Sequence, residues 1–123
     1  MPDPRETLAR IRAQADAATG GPWYYQCGED TPTERMDAGV CNADGEWVTS
    51  DVSDDNAEFI AAARTTVPAI TGALEAMLDF ADELDRDGNA FMSDADPGRA
   101  KAAYAHAFLI RAAVATALEG ENR

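Results

Sequence analysis

Histidine, lysine and cysteine are almost absent from these 123 residues: there is one His, one Lys and two Cys. Cys27 and Cys41 lie fourteen positions apart, with no CxxC and no second ligand pair, so the sequence gives zinc little support and no metal site is expected. Free thiols are expected, because the cytosolic location argued below disfavours a disulfide even if the two strands pair. His106 has no nucleophile near it in sequence, and GxSxG, HExxH, P-loop and GxGxxG patterns are missing. No catalytic residues, no cofactor and no enzymatic activity are therefore expected. Positive charge is also scarce. Ten basic against twenty-three acidic residues give a formal net charge of -13, which argues against direct contact with nucleic acid or an anionic membrane. Basic, neutral or small partners fit better. The longest apolar run, AHAFLIRAAVATAL, is interrupted by Arg111 and is too short to span a bilayer. The opening MPDPRETLAR carries acids and no apolar segment, which predicts no export signal and a cytoplasmic location.

A chain of this length fits a single domain, residues 1–123, that buries roughly two thirds of its unfolded surface. Asp3 is placed as an N-cap, with Pro4 at the first helical position and Glu6 to complete a capping box. A helix over 4–18 follows, with Leu8, Ile11, Ala15 and Ala18 as one apolar stripe, and Gly20-Gly21-Pro22 ends it. Between 23 and 52 the runs WYYQC, AGVCN and EWVTSDV read as a small antiparallel sheet, with Ala43-Asp44-Gly45 as a hairpin turn and 28–37 as a polar loop.

A second helix is expected over 55–86, capped by Asp54, Asp55 or Asn56. Ile60, Ala63, Val67, Ile70, Leu74, Met77, Ala81 and Leu84 recur at steps of three and four, a heptad seam that Phe59, Leu78 and Phe80 widen. Asp96-Pro97 opens a third helix over 97–118, stopped by Gly120. Its seam of Ala100, Ala103, Ala107, Ile110, Val114 and Ala117 is small enough for close approach. The fold class is therefore α+β: an N-terminal helix, a small antiparallel sheet, then a long kinked helix and a C-terminal helix in an antiparallel hairpin. Tyr104, Phe108, Leu109 and Leu118 lie off the seam, which predicts a homo-oligomer.

The stretch Ala15 to Trp23, including Gly-Pro-Trp at 21–23, and the stretch Asn56 to Leu74, centred on Phe59-Ile60, Ala63-Arg64-Thr65 and Val67-Pro68, carry a resemblance. Together they cover about a third of the chain. They resemble small accessory proteins of actinobacterial phages and prophages, some of them labelled Ea22-like. The resemblance implies a phage or prophage origin and no reaction; residues 28–40 and the C-terminal third do not match it.

Pro68 has no N–H for the carbonyl of Arg64 and its ring crowds that carbonyl, so the long helix is expected to break near 64–68. A restart with Thr65 as N-cap would open backbone amides to an anion beside Arg64 and Thr66. Alternatively Thr65 only caps, while Arg64 pairs with Asp54 or Glu58. Trp23, Tyr24, Tyr25 and Trp47 either fill the core or stack on a ligand. The candidate ligand-binding residues are Arg64, Thr65, Thr66, Trp23, Tyr25 and Trp47. Residues 83–94, ELDRDGNAFMSD, loosely follow a calcium loop, but Glu83 and Asp94 at its ends fit poorly and an acidic turn explains them better.

These readings point to a non-enzymatic phage accessory or anti-defence protein that acts by binding a host or defence component, or by sequestering a small anionic signal such as a nucleotide. The alternative is an acidic imitation of DNA, or an interaction module, that occupies a host factor.

Overall fold

The computed structural model describes residues 3–30, 35, 36 and 38–122. Helix α1 spans Pro4–Ala17, and Asp3 caps it as expected, its Oδ1 accepting from the amide of Arg5 at 3.0 Å and its carbonyl from Thr7 at 3.1 Å. Five strands follow: β1 Trp23–Gln26, β2 Glu29–Asp30, β3 Arg35–Met36, β4 Ala38–Asn42 and β5 Trp47–Val52. Helix α2 runs over Asp54–Ser93, and α3 over Pro97–Leu118 with a 3-10 turn at Glu119–Asn122. The mixed α+β class is as the sequence indicated, and no described helix is long and apolar enough to cross a membrane. The short pair β2–β3 replaces part of the loop expected over 28–37; residues 31–34 and 37 lie outside the described residues.

Residue contacts gather into two units, one of residues 12–70 and one of 1–11 with 71–123. In the first unit a three-stranded antiparallel sheet has the order β1-β4-β5. The β4–β5 turn closes through Gly45 at φ 80, whose amide bonds the Asn42 carbonyl at 3.1 Å. The Asn42 side chain accepts from Asp44 and Glu46 at 3.0 and 2.9 Å, so the Asx chemistry sets the turn where the sequence placed it. One sheet face buries Ala38 and Val40 against Ala57 and Ala61 of α2, with Trp23, Val48, Val52 and Ile60 around them. On the other face the Trp47 ring lies over Gly39, where a Cβ would come within 2.4 Å of it. Glycine is required there.

In the second unit, Leu8 of α1 packs with Leu78 of α2 and Val114 of α3, joined by Leu74 and Leu118. Helices α2 and α3 run antiparallel, since Tyr104 donates to Asn89 at 2.6 Å and Arg111 meets Asp82 and Asp85 at 2.8 and 2.6 Å. The small seam of α3 is buried at Ala100, Ala103, Ala107 and Val114. Asp96 caps α3 through the Arg99 amide at 3.2 Å, with Pro97 behind it. The chain enters that cap through Ala95 at φ 55, where the Asp96 and Ala95 amides bond the Phe91 and Met92 carbonyls, a Schellman closure of α2.

Three expectations about α2 need correction. Ser53, not Asp54, Asp55 or Asn56, caps it: its Oγ accepts from Asn56 at 3.3 Å and its carbonyl from Ala57 at 2.9 Å. The helix is continuous through Pro68 and on to Ser93, so it does not restart at Thr65, and residues 83–93 form helix rather than a calcium loop or an acidic turn. Among the described residues no group of acids, His and Cys is placed to hold a metal ion. A proline inside a helix costs about 3 kcal/mol, and the burial of Ala57, Ala61, Thr71, Leu78 and Ala81 along the same rod offsets it.

The buried face is also turned from the expected seam. Of that seam Ala81 is buried and Ile60, Ala63, Leu74 and Leu84 are half-buried, with Leu78 buried beside them as expected, but Val67, Ile70 and Met77 are exposed, and Ala57, Ala61, Thr71 and Gly88, outside the seam, are buried. Close approach decides this: the Tyr104 ring stands 2.6 Å from where a Cβ on Gly88 would lie, a distance only a small residue permits. Phe59 and Phe80, expected to widen the seam, remain exposed. Gly120 does not stop α3, because Glu119 stays helical and the chain tightens into the 3-10 turn.

Candidate functional site

Arg64 sits within α2, in a part of the helix whose next turn carries Pro68. Its Nε donates to the Thr19 carbonyl at 3.3 Å, and the same carbonyl accepts the Trp23 indole N–H at 3.0 Å. The guanidinium carbon lies 5.7 Å from the centroid of the Trp23 ring, a cation–π distance. One backbone oxygen thus ties an arginine to an indole, and the indole in turn supports the arginine. Gly21 makes room for this: a Cβ there would meet the Arg64 Cγ at 2.8 Å. Beside the pair is an open depression of about 330 Å³ lined by Gly21, Pro22, Arg64, Thr65 and Pro68.

The electrostatics follow from what the guanidinium does not meet. Asp54, one of two acids expected beside it, instead accepts from the Tyr25 hydroxyl at 2.7 Å and from the Gly28 amide at 3.3 Å. Among the described residues no carboxylate forms an ion pair with Arg64. With Nε engaged by Thr19, the two terminal nitrogens bond no other side chain among the described residues and form a fork able to take a carboxylate or phosphate end-on. Tyr25 is fixed elsewhere. Its hydrogen bond to Asp54, with some burial, pushes the phenol pKa up to about 12.

The candidate residues therefore separate. Arg64, Thr65 and Trp23 come together. Thr66 is exposed and does not line the depression, and Tyr25 is held by the start of α2. Trp47 pairs across β4 with Cys41, which pairs with Tyr24, and this row lies on the sheet face away from Val40 and α2. Of the aromatics only Trp23 joins the arginine. No amide-lined anion site exists at Thr65, because inside a continuous helix the amides there face helix carbonyls. Thr19, Gly21, Pro22 and Pro68 were missed as site residues. A backbone carbonyl such as that of Thr19 carries no residue-type signal, although Gly-Pro-Trp directly before a strand marks a fixed bend.

Cys27 is exposed and Cys41 half-buried, and both are free thiols. His106 is exposed on α3. No family model matches the sequence, and neither a curated protein nor a solved structure is found to match it.

Proposed function

We propose that this chain is a non-enzymatic binding protein, a phage-type accessory factor that takes up a small anion at Arg64. The observation that carries the reading is a guanidinium held in place by the Thr19 carbonyl and the Trp23 ring, without a carboxylate partner among the described residues. An arginine fixed in this way loses less side-chain freedom on binding. Pro22 and Pro68 supply apolar surface on either side of it, which suits an anion carried on a small organic body such as a nucleotide. Sequestration of such a signal requires no catalytic group.

Thermal unfolding against a panel of nucleotides, inorganic phosphate and small carboxylates tests this. A ligand at a hundred times its dissociation constant stabilises by about 2.7 kcal/mol, and Arg64→Ala is expected to abolish that gain. A flat response across the panel, identical in wild type and variant, would refute the reading. The rival, an acidic imitation of DNA, draws less support. Asp79, Asp82 and Asp85, the centre of one dense acidic stretch, are paired with Arg5 and Arg111 and so are not a free array.

A further inference from the structure

Pro68 stands inside α2 without ending it. In a continuous helix each carbonyl accepts from the amide four residues on. At position 68 that amide is missing, so the Arg64 carbonyl loses its helical donor. The amides on either side, of Val67 and Ala69, belong in the regular pattern to the carbonyls of Ala63 and Thr65. Among the described residues no side chain donates to the Arg64 carbonyl in their place. The proline therefore leaves one strong acceptor on the rod without a protein donor.

That acceptor falls at the depression. Arg64 and Pro68 lie one turn apart on the same face of α2, and both line it, with Thr65 beside them. A helix carbonyl points along the axis toward the residue four positions on, so the Arg64 oxygen lies between these two lining residues. The guanidinium occupies the Trp23 side of the same space, its Nε tied to the Thr19 carbonyl at 3.3 Å. One residue thus offers two groups of opposite kind, a cationic fork of donors on its side chain and a neutral acceptor on its main chain. They are no farther apart than that side chain is long, within reach of one small molecule. All of these groups lie in the unit of residues 12–70.

We propose that the ligand of this site carries an amino group beside its anionic group, the anion on the Arg64 fork and an amino N–H on the Arg64 carbonyl. This rests on the uptake of an anion at Arg64 and narrows the ligand. Among amino donors, ammonium suits the chain best. The net charge of -13 repels a plain anion, and a positive group on the same molecule lessens that repulsion. A depression of about 330 Å³ stands at the small end of ligand sites, which fits a compact molecule such as an amino acid, an amino-phosphate or a mononucleotide.

Isothermal titration calorimetry with three matched pairs tests this, each pair keeping the anion and removing the amino N–H. The pairs are phosphoethanolamine with phosphocholine, glycine with glycine betaine, and adenosine monophosphate with its form dimethylated at the base amino group. The unmutated protein is expected to bind the N–H member of at least one pair about tenfold more tightly, the scale of one hydrogen bond to an otherwise unpaired acceptor. The pair that shows the preference identifies the source of the amino group. Pro68→Ala returns an amide to the carbonyl and is expected to bring the two members of that pair within about twofold of each other, whatever their absolute affinity. Arg64→Ala is expected to lose both members, with far-UV circular dichroism establishing that the helices persist. Equal affinity within every pair, or a reversed preference, overturns the inference and leaves anion uptake standing. So does a preference that survives in Pro68→Ala. Silence from all six probes also overturns it, and anion uptake at Arg64 falls too only when inorganic phosphate, the nucleotides and the simple carboxylates are silent as well.

Discussion

At the scale of single residues, most side chains singled out above act through a neighbour that is hard to read from sequence. Tyr25 illustrates it. As one of three aromatics in WYYQC it offered either core or stacking surface, yet its hydroxyl is committed to Asp54 at 2.7 Å. The bond keeps the phenol protonated to about pH 12, above its ordinary 10.0. A folded pKa above the unfolded one means the associated stability is complete below pH 10 and disappears as the pH rises through 12. In an alkaline absorbance titration a tyrosine step near pH 12 is expected in the unmutated protein, and Asp54→Asn should move that step to lower pH. An alkaline titration that Asp54→Asn leaves unchanged would contradict the assignment. Arg64 and Trp23 were legible as candidates because their chemistry is distinctive, but the oxygen that joins them belongs to a main chain that any residue could supply.

For the elements, local rules worked wherever a few neighbouring residues decide the outcome. The Asp3 and Asp96 caps, the Asn42 turn and the small seam of α3 were all visible for that reason. The face of α2 was visible only in part: Ala81 and Leu78 are buried as expected, but Val67, Ile70 and Met77 are not. Ala57, Ala61, Arg64, Pro68 and Thr71 repeat at steps of four and three as faithfully as the larger residues of the expected seam, so periodicity alone cannot choose between the two lines. Packing chose the small one, because the sheet approaches at Ala57 and Ala61, and Tyr104 approaches at Gly88. Pro68 was misread for a related reason: propensity disfavours it mid-helix, and burial on both sides of it outweighs that. Pro68→Ala restores the missing amide donor and should raise stability by up to about 3 kcal/mol in urea denaturation. An unchanged or lower midpoint would show that the helix is already adapted to the ring.

On the scale of the whole molecule, contacts divide the chain inside α1 and inside α2, not at a linker, which is why composition gave no sign of two units. The overall charge of -13 was plain, but its local use was not. Asp82 takes Arg111 and Arg5 together, and these hydrogen bonds, Arg111 first, hold its carboxyl below the ordinary 3.8. A lowered folded pKa gives stability that is present above the ordinary carboxylate value and is lost as the pH falls through the depressed one. Urea midpoints measured from neutral pH down to below that range should fall on the acid side, and Asp82→Asn should flatten the fall. An acid limb equally steep in the variant would place the proton uptake elsewhere. The chain has only two indoles, and they lie in different settings: Trp47 half in solvent over a glycine, Trp23 against a cation at the depression. The protein consequently carries its own optical gauge. Any occupant that displaces the guanidinium changes the emission of one chromophore and leaves the other as an internal reference, with no dye attached.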